Sequence, residues 1–386
     1  MDMGTLSVWG GEEERFSEGA ICPPIYQSVA FGYEDMQDWF DVALGRKPGH
    51  IYSRNTNPTV RPLERKIALL DGGEDATSFS TGMAAISNTL FALLSPGDRV
   101  VAIKDTYGGT NKLFIEFLPR LGIEVALCDT ADAGAIEAEI ARGCRLLYLE
   151  TPTNPTLKIV DVARLAAAAH AAGATVVVDN TFATPVNQKP LALGADLVVY
   201  SATKFLNGHS DVMGGLVTGA GELVQRIFHY REITGATLHA QSAYMILRGM
   251  KTLELRMRRH NENGLMVARF LAAHPRVAQV FHPGLESHPG HEIARRQMQG
   301  YGGMLSFSLK GGFDEVVQAL QKLRLAHKAA SLGSVGTLVG PPRTTSHVEL
   351  TAEERAAAGI PESLIRYSAG IENGADLVAA LETALG

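Results

Sequence analysis

Between about residues 56 and 250, short apolar runs alternate with stretches of helical periodicity. The runs at 99–103, 123–127, 145–149, 174–178 and 197–200 are rich in Val, Leu and Ile and apolar at successive positions. That pattern predicts strands buried on both faces, as in a parallel sheet covered by helices. Residues 76–80 read as a short strand that passes into a helix from Gly82 to about Leu94, stopped by Ser95-Pro96-Gly97-Asp98. Asp161 suits an N-cap for the alanine-rich helix through Ala172, which Gly173 ends. From about 241 the pattern changes. One long helix is expected over 241–273, with Arg256, Arg258 and Arg259 on a solvated face. Residues 304–309 alternate as a half-buried strand should, and 313–323 give another helix. Residues 1–55 are turn-rich and poorly periodic, which predicts an arm lying across a neighbouring subunit. The expected organisation is an α/β chain: arm 1–55, large domain 56–250 with a mostly parallel sheet, and smaller α/β domain 251–386.

Composition narrows the function. With 386 residues, 46% hydrophobic and 20% charged, the chain reads as a globular enzyme rather than a disordered or fibrous protein. A net charge of −6 gives no general attraction to nucleic acid or an anionic membrane, so neither is expected as a partner. No apolar run approaches the roughly 20 residues that span a bilayer. Met1-Asp2-Met3-Gly4 lacks the basic-then-apolar pattern of a secretion signal. Cys22, Cys128 and Cys144 show no C-x-x-C spacing, which argues for a reducing cytoplasm without disulfides. His288 and His291 lie in a Pro/Gly loop with no third ligand nearby; they read as surface histidines, and no metal is expected.

The candidate chemistry gathers at strand ends. Lys204 follows the run 197–200 in Ser201-Ala202-Thr203-Lys204, where open α/β sheets place their ligands. Alone it is either a solvated lysine or a nucleophile able to capture an aldehyde cofactor. Asp179 closes the preceding strand, either capping a turn or pairing with a protonated ring nitrogen. Ser80-Thr81-Gly82-Met83 leads a strand into a helix, a place for an ordinary cap or a phosphate. Ser201, Thr203, Arg54 and Tyr52 could add hydroxyls and a charge to that phosphate. Tyr107, in Tyr107-Gly108-Gly109-Thr110, either packs or stacks on a flat ring. Asn154 lies in the proline-bracketed loop Glu150-Thr151-Pro152-Thr153-Asn154-Pro155-Thr156 and could donate to a ring oxygen or a carboxylate. Arg366, in Leu364-Ile365-Arg366-Tyr367-Ser368, suits either carboxylate capture or a structural ion pair. No G-x-G-x-x-G, phosphate-loop motif or nucleophile elbow is present to support a nicotinamide or hydrolase reading.

Taken together, these residues resemble the Cys/Met-metabolism family of pyridoxal phosphate enzymes, which includes the γ-lyases of cystathionine and methionine, cystathionine γ-synthase and homoserine-ester sulfhydrylases. The matching stretches are 52–59, 80–83, 107–110, 150–156, 178–182, 201–211, 331–333 and 365–366, in the family's order. The resemblance implies an aspartate aminotransferase-like fold (fold type I) with pyridoxal 5'-phosphate as cofactor. It implies Lys204 as the lysine bonded to the cofactor aldehyde, Asp179 as partner of the ring nitrogen and Tyr107 stacked on the ring. Gly82, Met83, Ser201 and Thr203 would hold the phosphate, joined by Tyr52 and Arg54 from a neighbouring subunit. Arg366, Asn154 and the Ser331-Leu332 turn would hold the substrate carboxylate. The implied protein is a homo-oligomer, a tetramer built as a dimer of dimers, acting on a small sulfur amino acid. Its implied reaction is α,γ-elimination to 2-oxobutanoate, ammonia and a thiol, with γ-replacement as the alternative. Two departures bear on the substrate. Gly109 stands where methionine-specialised lyases carry cysteine, and Gly336 where many relatives carry glutamate. Ser346, before His347, also replaces a threonine common in relatives.

Overall fold

In the computed structural model, all residues are described except 13–15, 346–347, 349–350 and 358; Ser346 and His347 therefore lie outside the described residues. Strands β1 (Asp75–Phe79), β2 (Arg99–Ile103), β3 (Glu124–Cys128), β4 (Leu146–Glu150), β5 (Thr175–Asp179), β6 (Leu197–Ser201) and β7 (Gly215–Gly219) form a seven-stranded sheet. Its order is β1-β7-β6-β5-β4-β2-β3. Neighbours from β6 to β3 run parallel, whereas β7 runs antiparallel to both β6 and β1. The expected α/β class and mostly parallel sheet are both present. Helices Gly82–Leu93 and Gly221–Thr234 cover one face with Ile86, Leu90, Val224 and Ile227. Helices Ala133–Ala141 and Val162–Ala171 cover the other with Ile136, Ile140, Leu165 and Ala169. Asp161 caps the latter by accepting from Arg164 N at 3.1 Å.

Strands β8 (Val277–Phe281), β9 (Met304–Leu309), β10 (His327–Lys328), β11 (Leu338–Gly340) and β12 (Leu364–Ser368) make a second sheet in the order β10-β11-β12-β9-β8. The strand expected at 304–309 is present as β9, but not half-buried: it is buried along its whole length. It lies between β12 and β8. One face, with Leu305, Phe307 and Leu309, joins a core with Val267 and Leu381, and the other turns Ser306 Oγ into Pro155 O at 2.7 Å.

The single helix expected over 241–273 is two, Ala240–Met250 and Leu253–Ala273. Arg256 is not solvated but only 4% exposed. Its guanidinium donates to Phe205 O at 2.7 Å, Leu206 O at 3.1 Å and Gly249 O at 2.8 Å. His288 is likewise buried rather than on the surface, because its loop folds down onto Ile159. Residues 1–12 are pinned to their own chain. Helix Met3–Trp9 lies against the buried Lys66, whose ammonium donates to Ser7 O at 3.0 Å, Val8 O at 3.2 Å and Glu12 Oε1 at 2.9 Å. Farther on, helix Met36–Ala43 presents Met36, Trp39 and Phe40 to solvent. No described helix is long and apolar enough to cross a membrane.

Candidate active site

Asp179 and Ser201 end the adjacent parallel strands β5 and β6, so both reach the same edge of the sheet. Thr181 ties them together. Its N–H donates to Asp179 Oδ1 at 2.9 Å, while its hydroxyl accepts from Ser201 N at 2.9 Å. Lys204 lies in the turn that follows β6 and donates from Nζ to Ser331 Oγ at 2.8 Å. Burial, with a smaller push from the Arg366 charge, lowers the Lys204 amine to about 8. Ser331 adopts a left-handed backbone conformation (φ 83°), uncommon for a residue with a side chain. Its carbonyl accepts from Arg366 Nη2 at 2.9 Å, and Arg366 Nη1 donates to Asn154 Oδ1 at 3.2 Å. Sequence positions 154, 204, 331 and 366 thus form one cluster. Leu332 does not face it; its side chain is packed in the core with Phe205 and Leu206.

The start of helix Gly82–Leu93 faces the same edge. Thr81 caps it through Ala84 N at 3.0 Å, and Ala85 N bonds Thr81 O at 3.1 Å. Among the described residues this leaves the Gly82 and Met83 N–H groups as open donors. A Cβ on Gly82 would come within 2.7 Å of Ser201 Cβ and 2.9 Å of its Oγ. Glycine there lets the helix end close on the strand that leads to Lys204. The Thr203 hydroxyl is already engaged, accepting from Gly214 N at 3.1 Å.

Tyr107 follows β2 and is 46% exposed, unlike the buried tyrosines 148 and 200. Its N–H donates to Glu150 Oε2 at 2.7 Å, and Glu150 sits in register beside Asp179. A Cβ on Gly109 would lie 2.8 Å from Met83 Sδ and 3.0 Å from Tyr107 Cε1, so glycine allows these two side chains to meet. Tyr52 and Arg54 are exposed and stacked on each other, guanidinium 5.2 Å from ring centroid. No hydrogen bond among the described residues joins either to the Lys204 cluster.

The helix Leu253–Ala273 supports the site from behind. Arg256, His260 and Asn263 occupy one face of it at helical spacing. Arg256 grips the two carbonyls that follow Lys204. His260 donates to Ala369 O at 2.7 Å, and Asn263 to Gly370 O and Glu372 O at 2.9 Å, just beyond the strand of Arg366.

The family model described as Cys/Met metabolism PLP-dependent enzyme matches residues 4–386. The chain belongs to that family. It is 46% identical over 386 residues to the L-methionine gamma-lyase of Fusobacterium nucleatum subsp. polymorphum, covering 99% of this chain and 98% of that one. It is 42% identical over 387 residues to the cystathionine gamma-lyase of Bacillus subtilis (strain 168), covering 100% and 99%. The crystal structure of cystathionine gamma synthase from Xanthomonas oryzae pv. oryzae superposes with a TM-score of 0.94 at 40% identity, over 100% of this chain and 98% of the other.

This member of the PLP-dependent family has a donor set that fits the cofactor. A lysine with a lowered pKa suits its aldehyde, a buried carboxyl suits its ring nitrogen, and open helix N–H groups beside Ser201 suit its phosphate. Sequence reasoning missed Thr181, Glu150 and Arg256 as parts of the site. Thr181 and Glu150 lie inside matched stretches, so the signal was present without a stated role. Arg256 carries no such signal, since its partners lie about 50 residues away in the chain.

Proposed function

We propose that this enzyme is a carbon–sulfur lyase of the cystathionine/methionine γ-lyase type, eliminating across Cα and Cγ and, with one water, giving 2-oxobutanoate, ammonia and a thiol. The observation that carries this reading is the contact of Lys204 with Ser331, whose carbonyl the Arg366 guanidinium also holds. It sets a proton-accepting amine beside a receptor for the substrate carboxylate. Bound pyridoxal phosphate supplies the electron sink that makes the substrate's Cα–H acidic. Arg366 and Asn154 orient the carboxylate; Lys204 Nζ takes the proton from Cα, passes it on, and as a free amine again takes one from Cβ. Asp179 would hold the ring nitrogen, while the Tyr107 hydroxyl gives a proton to the departing sulfur. Gly82, Met83 and Ser201 would hold the phosphate, with Thr203 assisting. Ser331 contributes its hydroxyl and carbonyl; Leu332 contributes by packing the turn that carries them.

Tyr52 and Arg54 serve the site of a neighbouring copy, which accounts for their exposure here. The assembly we infer is a homotetramer, a dimer of dimers. The arm, large domain and C-terminal domain divide at about 55 and 250, and the enzyme works in the cytoplasm. With glycine at both 109 and 336, the distal end of the substrate meets fewer polar groups, which favours a broad range of sulfur amino acids.

The likeness to a cystathionine gamma synthase favours a second reading, γ-replacement on an acylated homoserine. Supplying cystathionine or methionine alone and measuring 2-oxobutanoate decides between them. Keto acid from either supports the lyase. Product only from an acylated homoserine plus a thiol overturns it. Lys204→Ala abolishes both reactions and the yellow colour of the enzyme.

A further inference from the structure

Glu150 has no part in the reaction above, yet it stands where three parts of the site meet. It ends β4 and pairs in register with Asp179 at the end of β5. Partners in a parallel pair project their side chains from the same face, so two carboxyl groups sit side by side. Both residues are buried. Like charges that close, away from water, do not both persist. Nearby cations are committed elsewhere. Lys158 holds Asp105 at 2.9 and 3.0 Å, and Arg366 holds Asn154 and Ser331. Among the described residues, the other groups that face the pair are the hydroxyl of buried Tyr148, the Asp105 carboxyl, the N–H and hydroxyl of Thr181, and the N–H groups of Tyr107 and Asn154. None supplies a full compensating positive charge.

We propose that Glu150 is a positioning residue of this site: it stays uncharged and keeps the proton of the Glu150–Asp179 pair. The pair's negative charge then rests on Asp179, and the acceptor oxygen of Glu150 fixes the Tyr107 main chain. This rests on the reading in which Asp179 meets the ring nitrogen and Tyr107 covers the ring. A neutral carboxyl has one O–H donor and a carbonyl oxygen with two lone pairs. It accepts from Tyr107 N at 2.7 Å, at the first residue before helix Gly108–Lys112, and the Asn154 N–H also bonds it. Burial, then the neighbouring Asp179, pushes the Glu150 carboxyl well above 4.5. Burial raises Asp179 as well, opposed by the hydroxyl and N–H of Thr181 and the hydroxyl of Tyr148. Glu150 has only the Tyr107 and Asn154 N–H groups in its favour and also bears the repulsion of Asp179 and Asp105, which leaves Asp179 the member that ionises.

Glu150→Gln keeps an acceptor and a donor and never ionises; Glu150→Leu keeps neither. The first measurement is the thermal midpoint of the apoprotein from pH 5.5 to 8.5. A carboxyl whose pKa is raised by folding costs stability progressively as pH climbs above its unfolded value, here 4.5. Wild type is therefore expected to lose more of its midpoint across the range than Glu150→Gln. Parallel curves overturn the proposal. The second measurement titrates each apoprotein with pyridoxal phosphate at pH 7.5, followed by absorbance. Glu150→Gln is expected within about threefold of wild-type affinity and Glu150→Leu about tenfold or more weaker, the scale of one lost hydrogen bond to a buried group. Equal losses in both variants overturn the neutral carboxyl, and no loss in Glu150→Leu overturns its positioning role. Should Glu150→Leu not fold, the Glu150→Gln comparisons decide alone. Wild type that takes up no pyridoxal phosphate would sink the site reading instead, while the stability curves would still report the state of Glu150.

Discussion

At the scale of single residues, the chemistry depends on an amine that is neutral often enough to react. With Lys204 at about 8, its free-base fraction grows roughly tenfold per pH unit below that value and levels off above it. The rate at which apoprotein captures pyridoxal phosphate, read by absorbance, should therefore climb from pH 6 to 8 and then flatten. Arg366→Met removes a positive charge that helps to hold the amine down, so the climb should shift to higher pH. The same change deletes the guanidinium proposed to receive the substrate carboxylate. Losing charge-assisted hydrogen bonds worth about 1.5–3 kcal/mol should raise KM roughly 10- to 150-fold. The placement of Lys204, Asp179 and Arg366 at or beside strands was legible in the sequence because each of those strands has an unmistakable apolar run. Arg256 was not. Its neighbours Arg258 and Arg259 are ordinary surface cations, and nothing local distinguishes the one whose acceptors are carbonyls of a distant turn.

At the scale of elements, the site is made where helix ends approach strand ends. Helix Gly82–Leu93 can close on Ser201 because residue 82 has no side chain. Gly82→Ala puts its Cβ 2.7 Å from Ser201 Cβ, so the helix end must lift by roughly 0.8 Å or more to reach an ordinary carbon–carbon contact. We expect pyridoxal phosphate to bind about tenfold more weakly, with little change in the thermal midpoint of the apoprotein. The central strands could be read directly, since residues buried on both faces leave continuous apolar runs. Two features could not, nor could the burial of β9. β7 is a five-residue strand framed by glycines, Gly215–Gly219, and short enough to pass for a loop. The break between Met250 and Leu253 has no proline to announce it. β9 shows polar alternation because Ser306 and Ser308 are buried with their hydroxyls beneath other elements, which a one-strand pattern cannot reveal.

At the scale of the whole molecule, one chain does not bring Tyr52 and Arg54 to its own Lys204, and helix Met36–Ala43 is left with Trp39 and Phe40 in water. If two copies complete each other's sites, Arg54→Ala and Lys204→Ala are separately poor or inactive, yet unfolding and refolding them together should restore a measurable part of the activity through hybrid pairs. Mixed samples no better than the sum of the two would exclude a shared site. Such complementation was foreseeable from residues 52–59, but the pinning of residues 1–12 to their own chain was not, because it depends on a lysine buried at position 66. Arg256→Met should cost about 3 kcal/mol, seen as a lower thermal midpoint, because it strands three buried carbonyls. Its larger consequence is mechanical. The nucleophile's turn and the chain just past the anion receptor hang from the same rod, Leu253–Ala273, by Arg256 at one point and by His260 and Asn263 at the next. A tug on either end travels to the other, so changes along that rod should move KM and kcat in step.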